Sequence, residues 1–291
     1  MEVSNISISS GQIPSTEGLP IRYDLYSPIS RNSISFPVII FIHGFKGFKD
    51  WGPFPDVCEE LSRAGFGVVA MNLSLNGIGE NKTEFDRLDL FRRETISQDL
   101  KDIKTVIDAL QKGDISDSHS QLNTDKIGLL GHSRGAQTAI VAAAEFESVY
   151  CLVSWSAVAD YEVRWSDKMK EDWKEKGYTE IKNSRTGDLM KLDKVVYDDV
   201  IENAEDILAI HRVKDIRIPT LFIHGREDET VPTTNAEKLH IACNAKEKEL
   251  RMVANGGHTY GGAHPFESHE FPKPLAEVVE WTEGWFLEHL R

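Results

Sequence analysis

From Phe36 to Gly44 the chain reads FPVIIFIHG, an apolar run rich in β-branched residues and without alternating polar positions. A strand with one face in water alternates in polarity, so a run that does not alternate is covered on both faces. The same kind of run returns as FGVVAMNLS, KIGLLG, YCLVSWS and IPTLFIHG. Between these runs the spacing turns helical. PDVCEELSRAG sets Val57, Leu61 and Ala64 on one side and stops at Gly65. ETISQDLKDIKTVIDALQKG sets Ile96, Leu100, Ile103, Ile107 and Leu110 on one face and stops at Gly113, the usual end signal. GAQTAIVAAAEF and PTTNAEKLHIAC read as further helices. Buried strands alternating with amphipathic helices predict an α/β fold, a mostly parallel central sheet flanked by helices.

The ends of the chain complete this sheet. SNISIS and LPIRYDLYSP read as short antiparallel strands at one edge, and KEKELRMVAN as an edge strand. PLAEVVEWTEGWFLEHLR reads as a C-terminal helix packing through Leu275, Val278, Trp285 and Phe286. The alternation breaks between about residues 157 and 215, where the chain is charged and carries Tyr161, Trp165 and Trp173. Within it, EIKNSRTGDLMKL reads as a small hairpin turning near Thr186 and Gly187. This segment is too short and too charged for a core of its own, yet its aromatic content argues against a disordered linker. We expect one domain over residues 1–291, with 157–215 inserted as a cap or lid over the strand ends.

Acidic residues outnumber basic ones, 47 to 33, for a formal net charge of −14. That balance excludes nucleic acid and anionic membrane as expected partners. The N-terminus MEVSNISISSGQIP has no basic segment followed by an apolar one, so no secretory signal is read. The longest apolar runs are too short to insert in a bilayer. A cytoplasmic protein is the expectation, and the composition is compatible with a homo-oligomer. Cys58, Cys151 and Cys243 are far apart and odd in number, which suits reduced buried thiols. Neither they nor the histidines show ligand spacing, so no metal and no organic cofactor is expected.

KIGLLGHSRGAQTAI, Lys126 to Ile140, joins a strand to a helix through Gly131-His132-Ser133-Arg134-Gly135. Small residues are needed where the two backbones approach, and the residue at the apex is held out as a nucleophile would be. A serine hydroxyl is a poor nucleophile until an imidazole takes its proton, and a carboxylate orients that imidazole. On such an elbow the order along the chain is serine, acid, histidine. FIHGREDETVP offers Asp228 after a strand, with Asp160 as the alternative acid. VANGGHTYGGAHPF offers His258, with His264 as the competing imidazole; Gly256 and Gly257 would permit unusual dihedrals and a close approach to Ser133. Backbone N–H groups must receive the charge that develops on the attacked carbonyl oxygen. Arg134, after the nucleophile, and Phe45, in the loop HGFKGFKDWG, are the candidate donors. His43, His132 and His224 read as loop braces.

GHSRG, HGFKG, HGREDETVP and GGHTYGGAHPF, in this order, resemble the α/β-hydrolase superfamily, and GHSRG with GHTYGG…HPF resembles its dienelactone-hydrolase-like and acyl-esterase branch. The resemblance covers the chain from about residue 20. A serine stands where a true dienelactone hydrolase carries cysteine, and no HGGG follows the oxyanion strand. The resemblance implies a serine esterase for small or medium acyl groups, acting on a small-molecule ester through Ser133, Asp228 and His258. Alternatives are a serine peptidase of prolyl-oligopeptidase type and a binding protein on a hydrolase scaffold. Trp165, Trp173 and Tyr161 are candidate substrate contacts from the cap. Asn76, with Asn72 and Ser74, is a candidate from the loop NLSLNGIGENKTEF.

Overall fold

The computed structural model describes residues 5–30, 34–118, 120–183, 186–268 and 270–291. Its main sheet has eight strands in the order β1-β2-β4-β3-β5-β6-β9-β10. These are β1 (Ile6–Pro14), β2 (Pro20–Pro28), β3 (Ser35–Ile42), β4 (Gly67–Met71), β5 (Gln121–His132), β6 (Val149–Trp155), β9 (Thr220–Gly225) and β10 (Lys248–Val253). β1 pairs antiparallel with β2 and β2 with β4; every other pairing in the sheet is parallel. The antiparallel edge and the β10 edge lie where the sequence places them.

The lack of alternation in β3 has its cause in two cores. Val38, Ile40 and Ile42 pack into the apolar cluster on one face, together with α3 (Ile96–Lys112) and α4 (Arg134–Glu145). Ile39 and Phe41 pack into the cluster on the other face, with α1 (Phe54–Arg63) and α9 (Lys273–His289). α3 is bounded as its sequence implies: the Thr95 hydroxyl accepts from Gln98 N–H, and Gly113 closes the helix at φ 81°.

Between β6 and β9 lie α5 (Asp167–Lys176), a separate antiparallel pair β7 (Tyr178–Lys182) and β8 (Leu189–Asp193), α6 (Lys194–Ile207) and α7 (Ala209–Arg212). The pairing Lys182 to Leu189 matches the expected hairpin, with Gly187 at φ 83°; Ser184 and Arg185 of that stretch lie outside the described residues. Trp173 is fully buried, packs 4.9 Å from Trp165 and 5.4 Å from Tyr197, and donates its Nε1–H to Leu192 O. These rings are continuous with the core of the sheet. Arg92, just after α2 (Leu88–Phe91), donates to Asp193, and Ser97 to Asp199, tying the inserted segment to the body of the sheet, while α8 (Thr234–Ala242) connects β9 to β10. The three cysteines are free and buried. Among the described residues no helix is long and apolar enough to cross a membrane.

Candidate active site

β5 ends at His132 and α4 begins at Arg134, which leaves Ser133 alone at the turn with φ 57° and ψ −116°. A side chain there is strained, and the strain is held by packing that only glycine allows. A Cβ on Gly131 would stand 2.5 Å from the Cα of Ala136, and one on Gly135 would stand 2.8 Å from the carbonyl carbon of His43. Ser133 N–H donates to Trp155 O, which fixes the apex to the end of β6.

The loops after β9 and β10 bring their side chains to this apex. Ser133 Oγ lies 3.0 Å from His258 Nε2, and His258 Nδ1 lies 2.8 Å from Asp228 Oδ2. A carboxylate only accepts, so the proton of the neutral imidazole sits on Nδ1 and Nε2 is free to accept from the hydroxyl. Asp228 Oδ1 accepts from Thr230 N–H and Val231 N–H. Burial alone would raise its pKa, but hydrogen bonds from His224 and His258 outweigh burial and hold this carboxyl well below the usual carboxylate range. It is therefore ionised at any ordinary pH, as an orienting carboxylate must be.

Two of the bracing histidines, His43 and His132, are neutral. Burial lowers the pKa of His43 to about 4; its Nδ1–H donates to Gly44 O, and its Nε2 accepts from Leu73 N–H and Asn76 Nδ2. Burial, with the nearby His258, lowers His132 to about 3, and its Nε2–H donates to the carbonyl of His258. His224 Nε2–H donates to Val231 O and lies 3.2 Å from Asp228 Oδ2.

Ser133 and His258 open into a cavity of about 660 Å³ that Phe45, Arg134, Tyr161 and Trp165 also line. Arg134 opens α4, so its N–H has no acceptor within the helix. Phe45 follows Gly44, where a Cβ would stand 2.9 Å from Ser133 Cβ. The guanidinium of Arg134 is buried: Nε and Nη2 donate to the same oxygen of Asp99, and Nη2 also to Glu94 O. No motif pointed to Asp99 and Glu94. The available signal was polar residues at the start of α3, where an amphipathic helix facing the core should be apolar.

The other candidates have other partners. Asp160 accepts from Glu162 N–H in a local turn, while the carboxylate at His258 is that of Asp228. His264 lines the cavity, but its Nδ1 accepts from Gly52 N–H. Trp173 is in the core of the inserted segment and is not a wall of the cavity. Asn76 is spent on His43 and on Ile78 N–H, Asn72 on Lys49 N–H, and Ser74 N–H on Asp102; none lines the cavity. Gly256 and Gly257 do not adopt left-handed φ values, which fall on Asn255 and Tyr260 instead. The need at Gly256 is closeness: a Cβ on Gly225 would stand 2.6 Å from its carbonyl carbon.

The sheet order, the elbow between β5 and α4, and the loops after β9 and β10 define a protein of the α/β-hydrolase type. More narrowly, the chain belongs to the prolyl oligopeptidase family, which it matches over residues 58–288. It is 25% identical to an uncharacterized 31.7 kDa protein in the traX-finO intergenic region of Escherichia coli, over 94% of this chain and 97% of that protein. Its fold is that of dienelactone hydrolase from Anabaena variabilis ATCC 29413, with a TM-score of 0.62 and 19% identity over 98% of this chain and 99% of that one. The fold is likewise that of the esterase domain of a Rhodothermus marinus protein, with a TM-score of 0.63 and 15% identity over 98% of this chain and 100% of that one.

Proposed function

We propose that the protein is a serine hydrolase that cleaves carboxylic esters of small or medium acyl groups. The observation that carries this reading is the hydrogen-bond relay from Ser133 Oγ to His258 to Asp228, at 3.0 and 2.8 Å, facing one cavity. Ser133 Oγ attacks the ester carbonyl as His258 Nε2 takes its proton. Asp228 stabilises the imidazolium, and the N–H groups of Phe45 and Arg134 receive the oxyanion. His258 then gives the proton to the departing alcohol, and a water molecule activated by the same imidazole releases the acid. This chemistry needs no metal and no organic cofactor. Residues 157–215 act as a cap, closing the cavity through Tyr161, Trp165 and Met169, which shape the acyl or alcohol pocket.

Membership of the prolyl oligopeptidase family favours a second reading, cleavage of a peptide amide by the same three side chains. A panel of aryl esters of graded acyl length, run beside a proline-linked peptide amide with Ser133→Ala as control, separates the two. The ester reading expects turnover of the esters far above that of the amide and loss of both in the variant. Faster cleavage of the amide would transfer the assignment to a peptidase, and equal turnover by Ser133→Ala would remove the serine mechanism.

A further inference from the structure

The walls of the active-site cavity carry charge of one sign. Acidic residues outnumber basic ones over the whole chain, yet among the described residues no Asp or Glu lines this cavity, while Lys46, Arg134 and Arg164 do. Arg134 is neutralised from below by Asp99 and by Glu94, whose carboxylates are 1% exposed. The imidazole of His132 is neutral for the reason given above. Among the described residues, that leaves Lys46 and Arg164 to set the field of the cavity.

Among the described residues, neither cation has a carboxylate within ion-pairing distance. Lys46 is half-buried and held at φ 57°, and its Nζ reaches only Lys182 O on β7, at the long distance of 3.5 Å. Arg164, which is exposed at the rim, uses Nη1 on Thr230 O, which leaves the other guanidinium donors open. Burial lowers the pKa of Lys46, so its surroundings do not compensate its charge. Trp51, Phe54, Val158, Tyr161, Trp165 and Met169 give the wall a large apolar and aromatic part beside the polar Asn183, Thr230, Thr259 and His264. A low-dielectric cavity with uncompensated cations attracts an anion more strongly than open solvent does.

We propose that the substrate of this site is an ester that carries a carboxylate, received by Lys46 with Arg164 contributing to the field, and an apolar group against the aromatic wall. The proposal rests on the ester-hydrolase reading for its chemistry, but the anion site itself is a claim about binding.

Binding to the Ser133→Ala protein tests this without turnover. Phenylbutyrate and its neutral isostere phenylbutyramide are titrated by calorimetry against that protein and against the same protein with Lys46→Gln and Arg164→Gln. The carboxylate is expected to bind about tenfold more tightly than the amide, roughly the factor of 1.4 kcal/mol in affinity. The advantage should vanish in the double-cation variant and shrink as salt is raised. Equal binding of acid and amide, or an advantage that survives both substitutions, overturns the proposal. A kinetic arm keeps the two claims apart: aryl monoesters of a dicarboxylic acid are compared with their neutral amide counterparts on the parent enzyme. Turnover of both with no preference for the acid sinks the anion site and leaves the esterase. Selective binding of phenylbutyrate with no hydrolysis of either ester keeps the anion site and sinks the esterase.

Discussion

The guanidinium carbon of Arg134 lies 5.6 Å from the centre of the Phe45 ring. These residues supply the backbone amides proposed for the oxyanion, so one side-chain contact couples the two donors. Asp99 and Glu94 anchor the guanidinium from beneath. Removing the carboxylate of Asp99 takes away the closer counter-ion and leaves the buried guanidinium with Glu94 alone, at 3.6 Å. Asp99→Asn is therefore expected to cost about 3–5 kcal/mol of stability. It should also lower kcat more than it raises KM, because the oxyanion amides act in the transition state and not on bound substrate. Urea unfolding together with steady-state kinetics on an aryl ester checks both. An unchanged kcat in a destabilised protein would mean that the pair serves the fold alone.

Gly135→Ala tests the elbow. The added methyl group would collide with the main chain of His43 at the end of β3, which cannot move without shifting the sheet. We expect a fall in stability of several kcal/mol (about 3 or more), with loss of ester turnover, read by thermal unfolding and by activity. A variant as stable and as active as the parent would mean that the turn is looser than described.

The two tryptophans between β6 and β9 should separate. Trp173 is fully buried with its indole N–H bonded, so Trp173→Ala is expected to cost about 3–5 kcal/mol. Trp165 is 9% exposed and lines the cavity, so Trp165→Ala should change the dependence of KM on acyl size. Unfolding curves and a graded ester series distinguish them. Interchanged effects would contradict the assignment of walls and core.

Asp102 gives a pH signature. Burial raises its carboxyl from the ordinary 3.8 to about 6, against hydrogen bonds from Ser74 and Gln98. A folded-state value above the unfolded one means that the native state binds the proton more tightly. The group is thus a full penalty above the folded value, and the penalty fades as pH falls toward the unfolded value. Asp102→Asn mimics the neutral form at every pH. Relative to that variant, the parent should gain up to about 1.4 kcal/mol per unit as pH is lowered from about 6 to about 4. Urea titrations of both proteins across that range measure it, and a difference that does not vary with pH would contradict the shift.

Much of this architecture was legible in the chain. Strands buried on both faces announce themselves by losing alternation, and the stops at Gly65 and Gly113 mark real helix ends, both at left-handed φ. The order of Ser133, Asp228 and His258 was readable because each leaves a strand at a short, glycine-bearing turn. The destinations of polar side chains were not readable. Asn76 and Trp173 have the chemistry of pocket residues but turn inward, one to His43 and the other to Leu192 O. Nothing in local spacing distinguishes a side chain that satisfies its own loop from one that awaits a ligand. Nothing local to Asp99 and Glu94 marks their role for a related reason, since their partner Arg134 lies far along the chain and meets them only in the folded state.

The central claim is that Ser133 is a nucleophile activated by His258. Incubation with a fluorophosphonate probe, followed by mass mapping of the modified peptide, measures this most directly. The account predicts one labelled peptide carrying Ser133, no labelling of Ser133→Ala, and much slower labelling of His258→Asn. A folded protein that stays unlabelled, or that carries the probe on another side chain, would contradict it.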